Sequence, residues 1–275
     1  MRFEHEQLNF RNYSPFPWKG RQGGWGLSRE FIFGRNPVYE VIRAGRRRIY
    51  SLLVAEGVQE KGNLTRAVDL GVERGVPVRR VPRARLDHLS DSHQGLAAEV
   101  EGYAYVNLED ILSLAGERHE PPLVLLLDII QNPQNLGTLL RTAEAVGVHG
   151  VIIPEHRSAG VTPAVVQASS GASEHILVAV MNLVQAIQAL KASDVWIVGL
   201  EGSAEARTPD DIDLSGALGL VIGNEGEGMR RLVRQSCDYL LRLPMRGQVE
   251  SLNAAVAGSV VLYLVWQRRG FHQLD

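Results

Sequence analysis

A single cysteine, Cys237, is all the 275-residue sequence contains, so no disulfide can form within the chain. That argues against a disulfide-stapled secreted scaffold and fits a reducing compartment. Cys237 itself reads as a buried structural thiol. Long hydrophobic runs are also missing. The longest, AAVAGSVVLYLVW at 254–266, has 13 residues, short of the roughly 20 that cross a bilayer. The opening MRFEHEQLNF lacks the apolar core of a secretory signal, so a cytoplasmic location with no membrane association is expected. There is no G-x-G-x-x-G fingerprint and no Walker lysine, which weighs against a dinucleotide oxidoreductase or a P-loop enzyme. No Cys/His cluster has metal-ligand spacing, so no metal is expected. No internal repeat period is found.

What is present is an ordinary globular composition, 45% apolar and 22% charged, enough for a full core. Charge is unevenly placed. Residues 1–105 hold 17 Lys/Arg against 12 Asp/Glu, and residues 106–275 hold 12 against 19. A basic first third fits either an anionic partner or two solvated surfaces. Residues 1–28 mix Pro, Gly, aromatics and cations without periodicity and read as a flexible arm. Residues 29–104 alternate short helices and strands, a small α/β domain. In it NPVYEVIRAG starts a helix with Asn36 as cap and Gly45 as its end. Arg46, Arg47, Arg48, Arg79, Arg80, Arg83 and Arg85 fall at element ends, where they can meet phosphates or form a solvated face, the first five being the expected RNA contacts. Residues 105–120 read as a linker, a short helix followed by a charged, proline-ended stretch.

Residues 121–275 read as a second α/β domain. Its candidate strands, at 123–129, 150–154, 175–180, 195–200, 218–223 and 239–244, are continuous apolar runs of the kind that fill a buried parallel sheet. After the first of these, NPQNLGTLLRTAEAVG predicts a helix capped by Asn135 and closed by Gly147. Its Leu136, Leu139, Leu140, Ala143 and Val146 make one stripe, and Arg141 points away from it. From helix geometry alone Arg141 is a solvent-facing arginine. GLVIGNEGEGMRRL places Gly223, Gly226 and Gly228 in a strand-to-helix loop that lets a ligand approach the backbone. Glu225 and Glu227 in that loop suit a neutral or cationic ligand better than a pyrophosphate. LPMRGQVESLNAAVAG ends a strand and opens a helix that Ser251 or Asn253 can cap.

In this order and spacing, the three stretches resemble the three motifs of the SpoU/TrmH-type (SPOUT) RNA ribose 2′-O-methyltransferases. GRNPVYEVI near residue 34 and SHQGLAAEV at 92–100 resemble the substrate domain of the subgroup that methylates a guanosine in bacterial 23S rRNA. The resemblance covers roughly residues 31–268. It implies a C-terminal α/β domain with a deep trefoil knot, preceded by an L30e-like RNA-binding domain, in a homodimer. It implies methyl transfer from S-adenosylmethionine to a ribose 2′-hydroxyl, with 23S rRNA as the first expectation. Transfer to tRNA or another rRNA nucleotide, including a resistance-type modification, is the alternative. A non-catalytic RNA-binding protein is the rival from another class.

Carried over to this sequence, the resemblance makes Asn135, Arg141, Glu225, Ser251 and Asn253 the catalytic set. Arg141 matches the arginine credited with activating the 2′-hydroxyl. An arginine is effectively never deprotonated, so stabilising a developing alkoxide or holding a phosphate suits it better. Leu200, Glu201, Gly202, Gly223, Leu243, Met245, Ser251 and Leu252 match the cofactor positions, contacted mostly through backbone. Two departures are small: Asn224 stands where alanine or proline is common, and Ala254–Ala255 where Val-Ser is more usual.

Overall fold

A computed structural model describes residues 29–271; the arm expected at 1–28 lies outside them. Two sheets organise the chain. The first unit comprises β1 (Arg29–Phe33), α1 (Arg35–Ala44), β2 (Ile49–Ala55), α2 (Asn63–Glu73), β3 (Val78–Val81), α3 (Arg83–Asp87) and β4 (Leu96–Glu101). Its sheet runs β1-β4-β2-β3, antiparallel except for the parallel β2–β3 pair. The second comprises α4 (Leu108–Glu117), β5 (Leu123–Leu127), α5 (Pro133–Ala145), β6 (Gly150–Ile153), α6 (Pro163–Ala168), a 3-10 turn (Ala172–Glu174), β7 (Leu177–Val180), α7 (Leu183–Ala192), β8 (Trp196–Leu200), β9 (Leu218–Ile222), α8 (Arg231–Ser236), β10 (Tyr239–Leu241) and α9 (Ala254–Arg268). Its six strands are ordered β10-β8-β9-β5-β6-β7, every pair parallel.

The apolar runs explain that order. In β5 and β9 all five residues are buried, as a strand covered by helices on both faces requires. The short helix expected within 105–120 is α4, and its Leu108 and Ile111 are buried in the core of the second sheet. Helix α1 begins one residue after Gly34, earlier than the Asn36 cap expected, and Gly45 ends it in the left-handed conformation. No helix of the described residues is long and apolar enough to cross a membrane.

The two units are joined by polar contacts. The Tyr103 hydroxyl lies 3.0 Å from the Ser173 carbonyl and 2.9 Å from that of Ile176. Arg47, entering β2, is paired with Glu174 at 2.7 Å, and neither side chain has meaningful solvent exposure. His175 meets Glu40 at 2.7 Å, and Tyr105 accepts the Val161 N–H at 2.9 Å. Together these seat the first unit on the stretch from α6 to β7.

A fully buried histidine ties α4 to the sheet. His149 Nδ1 accepts the Leu123 N–H at 3.0 Å, so its proton sits on Nε2, facing Glu120 at 3.0 Å. Burial, reinforced by the nearby Arg118 and Arg269, depresses its pKa below the ordinary 6.5 against the pull of Glu120. The unfolded chain therefore takes up a proton that the folded chain refuses. The contribution is complete above about pH 6.5 and is lost as the pH falls through that value, about 1.4 kcal/mol for each unit of depression. Urea unfolding between pH 7.5 and 5.5 should show this loss in the wild type and a flatter profile in His149→Gln. Parallel profiles would rule out His149 as the source.

Candidate active site

Because β10, β8, β9 and β5 are parallel neighbours, their C-terminal ends lie along one edge of the sheet. Ligands of open α/β sheets bind at such an edge. Leu200, Glu201 and Gly202 leave β8 there, Gly223 leaves β9, and Leu243 and Met245 follow β10. Gly223 is buried, and a Cβ on it would run into the backbone of Gly228 and Met229, so only glycine lets the loop fold back this closely. Asn224 and Gly228 exchange two backbone hydrogen bonds of 3.1 and 3.0 Å. The Asn224 side chain accepts the Gly226 N–H at 2.8 Å and donates to the Ile129 carbonyl at 3.3 Å. The departure at position 224 thus braces the loop from within.

The far end of the loop is held by Asp128, fully buried just beyond β5. Its carboxylate accepts the Arg230 backbone N–H and Nε, both at 2.7 Å. The sequence reading missed Asp128. The available signal was one acid closing the apolar run LVLLLD, a residue that is almost never buried unpaired.

Above this edge three side chains from three separate stretches converge. Asn135 Nδ2 donates to Glu225 Oε1 at 2.7 Å. Asn253 Nδ2 donates to the same oxygen and to Asn135 Oδ1, the latter at 3.3 Å. Asn253 can reach because it is the N-cap of α9, its Oδ1 accepting the N–H groups of Ala255 and Val256 at 2.9 and 3.2 Å. Asn135 can reach because it is not the cap expected of it. Asn132 caps α5, accepting the Gln134 N–H at 2.8 Å, with Pro133 in the first helical position. Asn135 falls in the first turn with its amide free to point outward. Ser251 and Leu252 are exposed just before Asn253.

Arg141 is not part of this trio. It lies six residues beyond Asn135, a rise of about 9 Å along α5. It is exposed, and its Nη1 donates to Ser170 Oγ at 3.2 Å. The five arginines expected to meet RNA divide. Arg48, Arg79 and Arg80 are exposed, Arg80 paired with Glu60 at 2.5 Å. Arg46 instead donates to the Ile176 carbonyl at 2.7 Å. Arg47 has no surface to offer a phosphate, because the Glu174 carboxylate draws it into the domain interface. Arg83, one of the arginines expected at an element end, lines an open cavity of about 430 Å3 with Val58, Gln94 and Arg35, the last of which the sequence did not single out.

Residues 122–263 match the family described as SpoU rRNA methylase, and residues 31–106 match the RNA 2′-O ribose methyltransferase substrate-binding family. The chain belongs to the SpoU rRNA methylase family. One relative is the Bacillus subtilis (strain 168) protein YacO, whose name places it in the TrmH family of tRNA/rRNA methyltransferases. It is 41% identical over 242 residues, 87% of this chain and 96% of its own. Among solved structures, the SpoU methyltransferase AviRb from Streptomyces viridochromogenes, in complex with the cofactor AdoMet, superposes with a TM-score of 0.74. It shares 25% identity over 89% of this chain and 92% of its own. The AdoMet-bound rRNA methyltransferase of Sinorhizobium meliloti gives a TM-score of 0.72 at 25% identity, over 89% and 88% of the two chains.

S-adenosylmethionine is the cofactor of the SpoU family, and the sheet edge has the chemistry to hold it. Leu252, Met245 and Val249 expose apolar side chains beside it, while Glu225 and Glu227 supply negative charge suited to a sulfonium. Glu201 is turned to the side: Arg234 pairs with it at 2.7 Å and holds its carboxyl below the usual range. Behind β8, burial pushes the Cys237 thiol up to about 12, leaving it a protonated core group.

Proposed function

We propose that this protein transfers a methyl group from S-adenosylmethionine to a ribose 2′-hydroxyl of RNA, with a guanosine of 23S rRNA as the substrate. The observation that carries this reading is the meeting of Asn135, Glu225 and Asn253, one from each motif, at the sheet edge. The substrate-domain match supports RNA as the partner and the ribose as the target. When bound, S-adenosylmethionine supplies a methyl group already activated by its sulfonium. The chain's own task is to align the hydroxyl and stabilise its charge as the proton leaves. Alignment alone is worth up to roughly 7–11 kcal/mol. Arg141, a permanent cation with a planar fork of donors, stabilises the developing alkoxide or grips the adjoining phosphate. Asn135, Glu225 and Asn253 fix one another by hydrogen bonds, so the ends of α5, the glycine loop and α9 keep one geometry. Ser251 joins this catalytic set, and Ser251 and Leu252 also take part in receiving the cofactor. The strand-end backbone at Leu200, Glu201, Gly202, Gly223, Leu243 and Met245 receives the cofactor. The deep trefoil knot and the L30e-like character of the first domain belong to the same proposal. Arg48, Arg79 and Arg80 are its RNA-facing cations.

A second reading, transfer to tRNA, is favoured by one observation: relatives such as YacO carry tRNA and rRNA together in their names. Labelled methyl transfer to protein-free 23S rRNA, 16S rRNA and bulk tRNA, with the modified nucleotide mapped, separates the two. One 2′-O-methylguanosine in 23S rRNA is expected. Label in tRNA alone moves the specificity to the second reading. Cofactor binding with no transfer to any of these RNAs, or to ribosomal particles, refutes the proposal.

The proposal includes a homodimer built on α9. Val256, Val260 and Tyr263 expose 48, 41 and 48% of their surface on one face of that helix. The apolar Met245, Val249 and Leu252, just before α9 in the chain, are exposed as well, and Thr142 binds α5 to α9 through Ser259 at 2.9 Å. A stripe this size is seldom left to solvent by a monomer, and a second copy presenting the same stripe covers it symmetrically. Sedimentation should give a dimer for the wild type and a folded monomer for Val256→Glu/Tyr263→Glu. A monomeric wild type at micromolar concentration would remove the dimer.

A further inference from the structure

Ser170, the residue that receives the hydrogen bond of Arg141, is held in an unusual way. Its φ is 54°, in the left-handed region that non-glycine residues rarely enter. Such a conformation persists only where its surroundings over-determine it, and it tends to gather at functional sites. Here the surroundings are plain. Ser170 N–H donates to the Gln167 carbonyl at 2.9 Å, and Gly171 N–H to that of Val166 at 2.8 Å. The buried Ser169 hydroxyl is bonded to Ser173 Oγ at 3.1 Å. On the other side the turn is pressed against the substrate domain. A Cβ on Gly171 would meet the Glu40 side chain and the Pro37 backbone. Glu174 is locked to Arg47, and the Ser173 carbonyl to the Tyr103 hydroxyl. The turn 169–174 is therefore clamped between α6 and the first unit, and it presents one hydroxyl to one guanidinium.

We propose that Ser170 is a positioning residue for Arg141, and that docking of the substrate domain sets its aim. This rests on the reading of Arg141 given above. The chemistry suits the task. A neutral hydroxyl accepts one of the five N–H groups of the guanidinium without cancelling its charge, so four donors stay available for an anionic oxygen. A carboxylate in the same place would hold the side chain more firmly and neutralise it. The alkoxide or phosphate then meets an arginine already turned toward it, and the orientation comes from the same interface that places the RNA-holding domain.

Three variants test this with the RNA that the wild type methylates. Ser170→Gly removes the acceptor and suits the left-handed backbone, so its melting temperature should not fall. Its kcat should drop about 10- to 100-fold, with RNA KM and S-adenosylmethionine affinity unchanged. Ser170→Asn keeps an acceptor in a residue that tolerates this backbone, and should recover most of the rate. Ser170→Gly/Arg141→Ala should be no slower than Arg141→Ala alone, since the serine acts only through the arginine. Independently of turnover, the Arg141 guanidinium NMR signal should broaden or average in Ser170→Gly. A Ser170→Gly enzyme at the wild-type rate, beside an inactive Arg141→Ala, overturns the positioning role and leaves Arg141 in place. Additive losses in the double variant also overturn it. An active Arg141→Ala removes the reading on which it rests.

Discussion

Arg141→Ala is expected to lower methyl transfer by on the order of 100- to 1000-fold, the usual cost of removing one well-placed donor from a developing oxyanion. Melting temperature and S-adenosylmethionine affinity should stay at wild-type values. The structural ground for sparing stability is direct. The apolar stripe of α5, Leu136, Leu139, Leu140 and Ala143, is buried without help from Arg141. Arg141 lies on the opposite, exposed face, bound to Ser170 by a single 3.2 Å contact. Truncating such a residue usually changes stability by no more than about 0.5 kcal/mol. The ground for sparing the cofactor is that the glycine loop after Gly223 is held by Asp128, Asn224 and Glu225, and the loop after β8 by the Arg234–Glu201 pair, none of which involves Arg141. Arg141→Lys should fall between the two enzymes, because lysine keeps the charge but not the planar fork. Turnover by Arg141→Ala near the wild-type rate would make Arg141 the ordinary solvated arginine that helix geometry alone suggests.

Helix α5 also shows how much could be read in advance. Its apolar stripe was legible because burial of a helix on a sheet enforces a period near 3.6, and the exposure of Arg141 followed from the same period. The start was misjudged by three residues. Both Asn132 and Asn135 can cap a helix, and only the proline at 133 decides between them. That choice has a chemical consequence, since an Asn135 busy capping could not reach Glu225. The strands β5 and β9 were legible as apolar runs, whereas β1, with Arg29 and Glu30 at its start, carries no such run. The convergence of Asn135, Glu225 and Asn253 was beyond composition or periodicity. It depends on three distant stretches sharing one sheet edge, and only the ordered motifs pointed there. The fate of Arg47 was hidden for a related reason. Three consecutive arginines at 46–48 look alike in sequence, and only the position of Glu174, 127 residues later, separates the buried one from its neighbours.

That buried arginine carries the largest expected effect on stability. Arg47→Met should cost about 3–5 kcal/mol, because it leaves the Glu174 carboxylate buried without a counter-ion. The loss should be pH-dependent, with a definite sign. Glu30, 3.2 Å from the same guanidinium, already has its pKa raised by burial, and Arg47 is what opposes that rise. Without Arg47 the Glu30 carboxylate is more readily protonated, so the deficit should be greatest near neutral pH and shrink as the pH falls toward the ordinary carboxylate range. Adding Glu174→Leu to Arg47→Met should restore most of the stability, since replacing a buried ion pair with apolar groups of similar volume is often neutral or better. It should not restore all, because Glu30 still lacks its cation and the Tyr103 ring has lost the guanidinium stacked 4.8 Å from its centre. Denaturant midpoints of the two variants at pH 7.5 and 5 would show both effects. An Arg47→Met protein as stable as the wild type would mean the interface is held elsewhere. A double variant no better than the single would mean that packing around Arg47, rather than the stranded charge, governs the loss. If the expected pattern holds, the ion pair adds little net stability and its value is geometric, because Glu174 has one place to go and it fixes the register of the substrate domain on the turn that meets Arg141.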